Sequence, residues 1–284
     1  MPLPVPGRVV EALRRSTVEV LSGPRGLSGT GTGTVVTEGQ VVTNAHVIRG
    51  GSVTVASWEG DRLPATVLRV DGHRDLALLS VNGLRAPGSP LGDSNALRSG
   101  TPVVAVGNPL GFIGAVSSGV VHTVGAAPPM DGRTAIYADV RLAPGNSGGP
   151  LADYSGQVVG INTMVISGGL ALAIPSRAVQ LFLKRSRTGS SLGVVVRPVP
   201  MKDQRVGMMI LEVSPGGAAE RASLLPGDVL VGANQSRFRT LEDLESVTEE
   251  APGSVVVLEF YRAGVRTLRR VALQLDRKPN LSAA

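Results

Sequence analysis

A serine surrounded by small residues is the first feature of this sequence that favours catalysis. Ser147 lies in the segment GNSGGP, residues 145–150. Small neighbours let a substrate approach the backbone closely, and they allow backbone N–H groups to point at a developing oxyanion. Ser147 is therefore a candidate nucleophile, although Gly-Ser-Gly segments also occur as plain turns.

The positions of the histidines decide which class of serine hydrolase this chain can form. The three histidines, His46, His73 and His122, all precede Ser147. The G-x-S-x-G elbow of α/β-hydrolases needs its histidine after the serine, so the sequence excludes that class. A subtilisin-like order needs an aspartate before the histidine, and none precedes His46. The order that remains is His, Asp, Ser.

A histidine and an aspartate stand where partners of that serine are expected. His46 follows a predicted strand, at a strand-to-loop edge where an imidazole can act as a base. Asp75 begins the apolar run DLALL, and a partly buried carboxylate needs a partner such as the second nitrogen of a catalytic histidine. Asp71 and Asp93 are alternatives, but each stands beside a glycine in turn-like sequence. We predict that His46 and Asp75 complete the triad.

The elements that must position these residues are short and mostly extended. The 37 Gly and 20 Pro, against 3% aromatic residues, favour many turns between short strands. The spacing predicts a helix over residues 7–15 and two sets of strands, each forming a small barrel. The predicted strands are residues 17–21, 32–36, 41–43, 53–56, 65–70 and 76–81, and then 102–106, 116–124, 135–140, 157–163 and 170–173.

A polar stretch separates this part from the remainder of the chain. A helix is predicted over residues 176–184, and the Ser, Thr and Gly residues that follow favour a linker, with a domain boundary near residue 189. Further strands are predicted at 192–196, 208–213, 229–233, 255–261 and 267–273. A helix is predicted over 241–250, with Thr240 and Asp243 as its N-cap pair.

Five segments together resemble the HtrA-type (Deg) serine proteases of the chymotrypsin clan. They are GTGTVV at 31–36 with VTNAHV at 42–47, RDLAL at 74–78, AVGNPLG at 105–111, PGNSGGP at 144–150 and AIPS at 173–176. The resemblance implies a mainly β fold, a chymotrypsin-like double six-stranded β-barrel with the active site between the barrels. A small α+β PDZ domain is expected to follow.

The same resemblance implies a role for each candidate residue. His46 is the general base and acid, Asp75 orients it, and Ser147 attacks the scissile carbonyl to give an acyl-enzyme that water hydrolyses. The backbone N–H groups of Gly145 and Ser147 are expected to form the oxyanion hole. Neither a metal nor an organic cofactor is expected.

Four further residues are predicted to bind substrate: Arg141, Leu142, Asn162 and Thr163. Arg141 stands near the position where this clan sets its primary specificity, and a guanidinium there would favour an acidic substrate side chain. The alternative is an Arg141 that points outward or pairs with Asp139. Small aliphatic specificity is the default expectation.

The end of the chain resembles a PDZ domain through SLGV at 191–194, SPGGAA at 214–219 and LPGDVL at 225–230. The resemblance implies that a peptide C-terminus adds a strand and that backbone N–H groups hold its carboxylate. The peptide-binding residues expected are Leu192, Gly193, Val194, Leu244 and Val247, although the last two also have the spacing of core residues. The predicted domains are a protease over 1–188 and a PDZ domain over 189–284.

Composition limits the remaining possibilities. Without cysteine there is no disulfide and no thiolate nucleophile. The net charge of +6 is spread over scattered arginines without interleaved aromatics, which favours a solvated surface over a nucleic-acid site. As written, the sequence shows neither a signal peptide nor a membrane segment, so a cytoplasmic location is expected, although the family is often exported. A homotrimer is the family default, although residues 1–30 contain no aromatic side chain.

Two functions from different classes fit these features. The first is a quality-control endopeptidase that cuts unfolded or misfolded proteins and captures hydrophobic C-terminal peptides. The second is a non-proteolytic holdase or scaffold that binds chains without cutting them. The presence of His46, Asp75 and Ser147 together with Gly145 favours the protease.

Overall fold

The computed structural model describes residues 5–23, 29–109, 112–127, 133–166, 169–184, 190–201, 206–248, 253–262 and 267–277. The chain divides into two compact units, Met1–Leu183 and Lys184–Ala284. The predicted boundary between residues 188 and 189 lies outside the described residues and stays a prediction. No helix in the described part of the chain is long and apolar enough to cross a membrane.

The first barrel follows α1 (Gly7–Arg15), which buries Val9 and Leu13. Its strands close in the order β1-β2-β3-β6-β5-β4, with every neighbour antiparallel. Fully buried valines such as Val18, Val20 and Val41 fill its interior, as expected for β-branched residues. The strands are β1 (Thr17–Gly23), β2 (Gly29–Thr37), β3 (Gln40–Thr43), β4 (Ser52–Ala56), β5 (Arg62–Asp71) and β6 (Leu76–Ser80). The prediction of a helix followed by six strands is confirmed.

The second barrel closes in the order β10-β11-β12-β9-β8-β7. Its strands are β7 (Pro102–Gly107), β8 (Ala115–Ala127), β9 (Arg133–Asp139), β10 (Pro150–Asp153), β11 (Val158–Val165) and β12 (Ala171–Pro175). The sequence pattern predicted all of these except β10, which has four residues and begins with a proline directly after the glycine-rich segment. A proline is tolerated at the first position of a strand. The predicted helix follows as α2 (Ser176–Lys184).

The second unit contains antiparallel strands and two short helices. Its main sheet has the order β14-β15-β16-β18-β19, with β17 paired to β16, and a separate pair joins β13 to β20. The elements are β13 (Ser190–Ser191), β14 (Val194–Pro200), β15 (Val206–Val213), α3 (Ala218–Arg221), β16 (Val229–Ala233), β17 (Ser236–Arg237), α4 (Leu241–Val247), β18 (Val255–Tyr261), β19 (Arg269–Gln274) and β20 (Asp276–Arg277). The α+β expectation for this unit is confirmed.

Two predicted boundaries in this unit need correction. The strand predicted over 192–196 begins only at Val194, because Gly193 adopts a left-handed φ of 72° that interrupts the extended path. The helix predicted over 241–250 ends at Val247, and residues 249–250 lie outside the described residues. The predicted N-cap pair is confirmed, since Thr240 and Asp243 form a reciprocal capping box.

A buried ion pair supports the sheet of the second unit. The nearly inaccessible carboxylate of Asp228 accepts hydrogen bonds from Arg262 Nε and Nη2, both at 2.8 Å. These hydrogen bonds to Asp228 raise the pKa of Arg262. A bidentate pair of this kind satisfies a carboxylate that would be costly to bury alone.

Candidate active site

The pairing of two strands brings the predicted histidine and aspartate together. His46 lies in the 3-10 turn Ala45–Val47 just after β3, and Asp75 directly precedes β6. These strands are antiparallel neighbours, with Thr43 opposite Ala77, so the end of one lies beside the start of the other. A contact between residues 29 positions apart thus follows from the strand register.

Asp75 binds both the ring and the backbone of His46. His46 Nδ1 lies 2.8 Å from Asp75 Oδ2, and the His46 backbone N–H donates to Asp75 Oδ1 at 3.0 Å. A carboxylate only accepts, so Nδ1 carries the proton of the neutral ring. Nε2, which has no partner among the described residues, is then the basic nitrogen that can take a proton from a nucleophile.

The backbone at Asp75 is held in a conformation that few side chains adopt. Its φ of 54° lies in the left-handed region, where aspartate is one of the better tolerated residues. Asn44 Nδ2 donates to Asp75 O at 2.9 Å and so fixes the peptide that follows the carboxylate. Sequence reasoning missed this role of Asn44, although its signal was present in the polar step TNAH after β3.

The two alternative aspartates have other partners. Asp71 forms a buried ion pair with Arg74 Nη1 at 2.7 Å and accepts the Arg74 backbone N–H at 3.1 Å. Asp93 caps the turn Ser94–Ala96 by accepting the backbone N–H of Asn95 at 2.9 Å. Both contacts support turns, and neither involves His46.

The nucleophile segment, residues 145–150, contains two backbone N–H groups without a hydrogen-bond acceptor among the described residues. In the part of the chain that the structure describes, the N–H groups of Gly145 and Ser147 have no hydrogen-bond acceptor. Gly145 adopts a φ of 102°, and a Cβ there would lie 2.8 Å from Asn108 O, so the position requires glycine. One open donor lies two residues before the candidate nucleophile and the other belongs to it, so both remain available for the predicted oxyanion hole.

Thr163 connects Ser147 to Asp75. Ser147 Oγ donates to Thr163 O at 2.8 Å, and within the described residues it has no hydrogen bond to His46. Thr163 Oγ1 donates to Asp75 Oδ2 at 2.6 Å. One residue of β11 therefore contacts both ends of the predicted triad, a role that its predicted place in substrate binding did not include.

The other predicted substrate-binding residues lie around the same segment. Asn162 is fully buried beneath it, where its N–H donates to Gly149 O at 2.9 Å and its carbonyl accepts from Gly148 at 2.8 Å. Leu142 is half-buried against the second barrel's core. Arg141 is exposed and forms no ion pair with Asp139 or with any other described residue. Their binding of substrate stays a prediction.

The predicted peptide-binding residues of the second unit differ in accessibility. Val194 begins β14, the edge strand of the sheet, and Gly193 precedes it in the left-handed conformation. Leu192, Leu244 and Val247 are only 3%, 4% and 8% exposed and share one core cluster. The side chains of these three thus serve the core, and their role toward a peptide stays a prediction. Among the described residues, no cluster of His, Asp or Glu could hold a metal ion.

Two known domain families match the chain. Residues 31–161 match the trypsin-like peptidase domain, and residues 209–262 match the PDZ domain. Both matched ranges lie inside the predicted domains. The likeness covers the segments that carry His46, Asp75 and Ser147.

Several curated sequences and solved structures are similar over most of the chain. The "Probable periplasmic serine endoprotease DegP-like" of Chlamydia trachomatis serovar D is 34% identical over 256 residues, which are 82% of this chain and 52% of that protein. A protein of the same description from Brucella suis biovar 1 is 36% identical over 259 residues, 82% of this chain and 50% of that protein. The chain spans about half the length of these relatives. The structure of "HtrA-type protease AlgW with tripeptide" is 25% identical, with a TM-score of 0.75 over 96% of this chain and 97% of that one.

Proposed function

Because this chain is of the HtrA type, a trypsin-like peptidase domain followed by a PDZ domain, we propose that it is a serine endopeptidase acting on unfolded or misfolded proteins. The observation that carries the proposal is the hydrogen bond of 2.8 Å between His46 Nδ1 and Asp75 Oδ2, together with the N–H groups of Gly145 and Ser147, which have no acceptor among the described residues. This arrangement has the parts that acyl transfer needs: a base, a group that orients it, and a site for the oxyanion.

In the proposed mechanism, the Ser147 hydroxyl first gives up its hydrogen bond to Thr163 O. Its proton passes to His46 Nε2, and Ser147 Oγ attacks the carbonyl carbon of the scissile peptide bond. The N–H groups of Gly145 and Ser147 stabilise the oxyanion of the tetrahedral intermediate. The imidazolium, stabilised by Asp75, then protonates the leaving amine as the C–N bond breaks. Water, deprotonated by His46, hydrolyses the resulting acyl-enzyme and restores the Ser147 hydroxyl.

The PDZ domain is proposed to capture peptide C-termini for this site. Among the described strands, β14 pairs only with β15, so its other edge can accept an added strand. The turn at Gly193 precedes β14 and is where a terminal carboxylate would be held. A solved relative, AlgW, is described as holding a tripeptide. Unfolded proteins expose hydrophobic C-termini, so capture of such ends would serve the proposed role in protein quality control.

One observation favours the second candidate, a holdase that does not cut. Ser147 Oγ is hydrogen-bonded to Thr163 O instead of to His46, as in a resting site. The two functions differ in what happens to an unfolded protein such as reduced, carboxymethylated lactalbumin. Incubation with the wild type and with Ser147→Ala, followed by mass spectrometry, is expected to give fragments only with the wild type. Suppressed aggregation with intact substrate in both samples would establish the holdase instead.

A further inference from the structure

Strand β2 of the first barrel forms direct hydrogen bonds to the nucleophile segment of the second barrel. Thr32 Oγ1 donates to Gly145 O at 2.6 Å, and the Thr32 backbone N–H donates to Ser147 O at 2.8 Å. We propose that Thr32 is a positioning residue that holds the two oxyanion donors in place. This role rests on the proposed function, since it concerns the same oxyanion hole.

The bond to Gly145 O fixes the peptide unit between the two donors. That unit joins Gly145 to Asn146, and the Asn146 N–H at its other side donates to Ala143 O at 3.1 Å. A planar peptide held at both its oxygen and its nitrogen cannot turn about the bonds on either side without breaking a hydrogen bond. The neighbouring N–H groups of Gly145 and Ser147 are thereby restrained as well.

The Thr32 hydroxyl has one possible orientation. It is fully buried and accepts the backbone N–H of Asn108 at 2.9 Å. Since a backbone N–H can only donate and the Gly145 carbonyl can only accept, the hydroxyl proton must point at Gly145 O. Removing the hydroxyl would leave the buried Asn108 N–H and the partly buried Gly145 carbonyl without this partner.

Glycines allow this close contact between the barrels. A Cβ on Gly148 would overlap Thr32 O, and a Cβ on Gly31 would lie 3.3 Å from Ser147 O. Glycine at these positions lets the strand and the segment meet backbone to backbone. The threonine hydroxyl then donates to Gly145 O, one of the two carbonyls that lie between the oxyanion N–H groups, while the other, Asn146 O, accepts the Gly149 N–H at 3.0 Å.

The neighbouring residue Thr34 provides a matched control. It lies on the same strand, is equally buried, and donates through Oγ1 to Gly148 O at 3.0 Å. Gly148 O follows both oxyanion donors in the chain, so losing this bond does not free the peptide between them. Thr32→Val and Thr34→Val thus remove the same chemical group, and each leaves a carbonyl of the nucleophile segment without its threonine donor. Thr32→Val additionally leaves the Asn108 N–H without its acceptor.

The test is steady-state kinetics on a short chromogenic peptide, with inhibition by a peptide aldehyde that forms a tetrahedral adduct. Thr32→Val is expected to lower kcat about tenfold, less than the roughly hundredfold loss from deleting a whole oxyanion donor. KM should change little, and aldehyde affinity should fall by a similar factor to kcat. Thr32→Ser keeps the hydroxyl and should have a kcat close to that of the wild type. Thr34→Val should also keep the wild-type kcat.

Urea unfolding of each variant separates positioning from folding. Both valine variants should lose stability, Thr32→Val at least as much as Thr34→Val because it also unpairs the Asn108 N–H, and only Thr32→Val should lose kcat. Thr32→Ala is measured as well, in case the valine variant does not fold, and should show the same loss of kcat. An unchanged kcat in folded Thr32→Val or Thr32→Ala, or an equal loss in Thr34→Val, would overturn the role of Thr32. Absence of hydrolysis by the wild type would instead contradict the proposed function.

Discussion

Thr163 Oγ1 donates a hydrogen bond to Asp75 Oδ2 at 2.6 Å, across 88 positions of the sequence. The same oxygen of Asp75 lies 2.8 Å from His46 Nδ1. Thr163 comes from the second barrel, whereas Asp75 and His46 come from the first. The orientation of the carboxylate toward the imidazole therefore depends on a donor from the opposite barrel.

Replacing Thr163 by Val should lower kcat by about tenfold or more, because a hydrogen bond to a charged group is among the stronger ones in proteins. Without this donor, the carboxylate is freer to turn away from His46. Thr163→Ser keeps the hydroxyl and should retain most of the activity. Peptide hydrolysis and thermal unfolding of both variants check the prediction, which fails if Thr163→Val is folded and as active as Thr163→Ser.

Asp75→Asn should lower kcat by about 10⁴, because the amide favours the wrong tautomer of His46. Asp71→Asn should instead reduce stability, since it breaks the buried pair with Arg74. Asp93→Asn should leave kcat unchanged, because Asp93 caps a turn outside the site. The measurements are kcat on a short peptide and urea unfolding for all three variants. A 10⁴ loss in a folded Asp71→Asn, with an active Asp75→Asn, would show that Asp71 is the triad carboxylate.

Gly145→Ala should reduce kcat by about a hundredfold, the effect of losing one oxyanion donor. The position has a φ of 102°, and the new Cβ would meet Asn108 O at 2.8 Å, so the segment must shift. Gly156→Ala is the matched control, with a φ of 87° and its nearest neighbour at 3.6 Å. Both variants should lose stability through the strained φ, but only Gly145→Ala should lose kcat. A similar kcat for the two, at equal folding, would exclude Gly145 from the oxyanion hole.

Deleting residues 190–284 should leave a folded protease, because the compact unit Met1–Leu183 contains both barrels and every proposed catalytic residue. Cleavage of an unfolded protein should fall, since the tether that raises its local concentration is removed. Hydrolysis of a short chromogenic peptide should continue at the full rate. Kinetics on both substrates decide the matter: equal losses would mean that the PDZ domain supports the active site itself, and no loss on either would exclude a capture role.

Local sequence patterns predicted most of the strands, because β-branched runs between glycines and prolines mark them directly. β10 was missed since Pro150–Asp153 is short and follows a glycine-rich segment, and its burial between β7 and β11 is a tertiary effect. The catalytic candidates were found from residue type and chain order. The contacts of Thr163 and Thr32 were not, because a threonine in a strand carries no sign of which carbonyl or carboxylate the opposite barrel will bring to it.

The most direct test of the central claim is the covalent labelling of the native protein by a fluorophosphonate, followed by peptide mapping in a mass spectrometer. The reagent reacts with a serine that an adjacent base activates, so the mass increase should locate to Ser147. His46→Ala should label far more slowly, and Ser147→Ala should not label at all. Labelling of a different serine, or equal labelling of the wild type and Ser147→Ala, would contradict the assignment of Ser147 as the nucleophile.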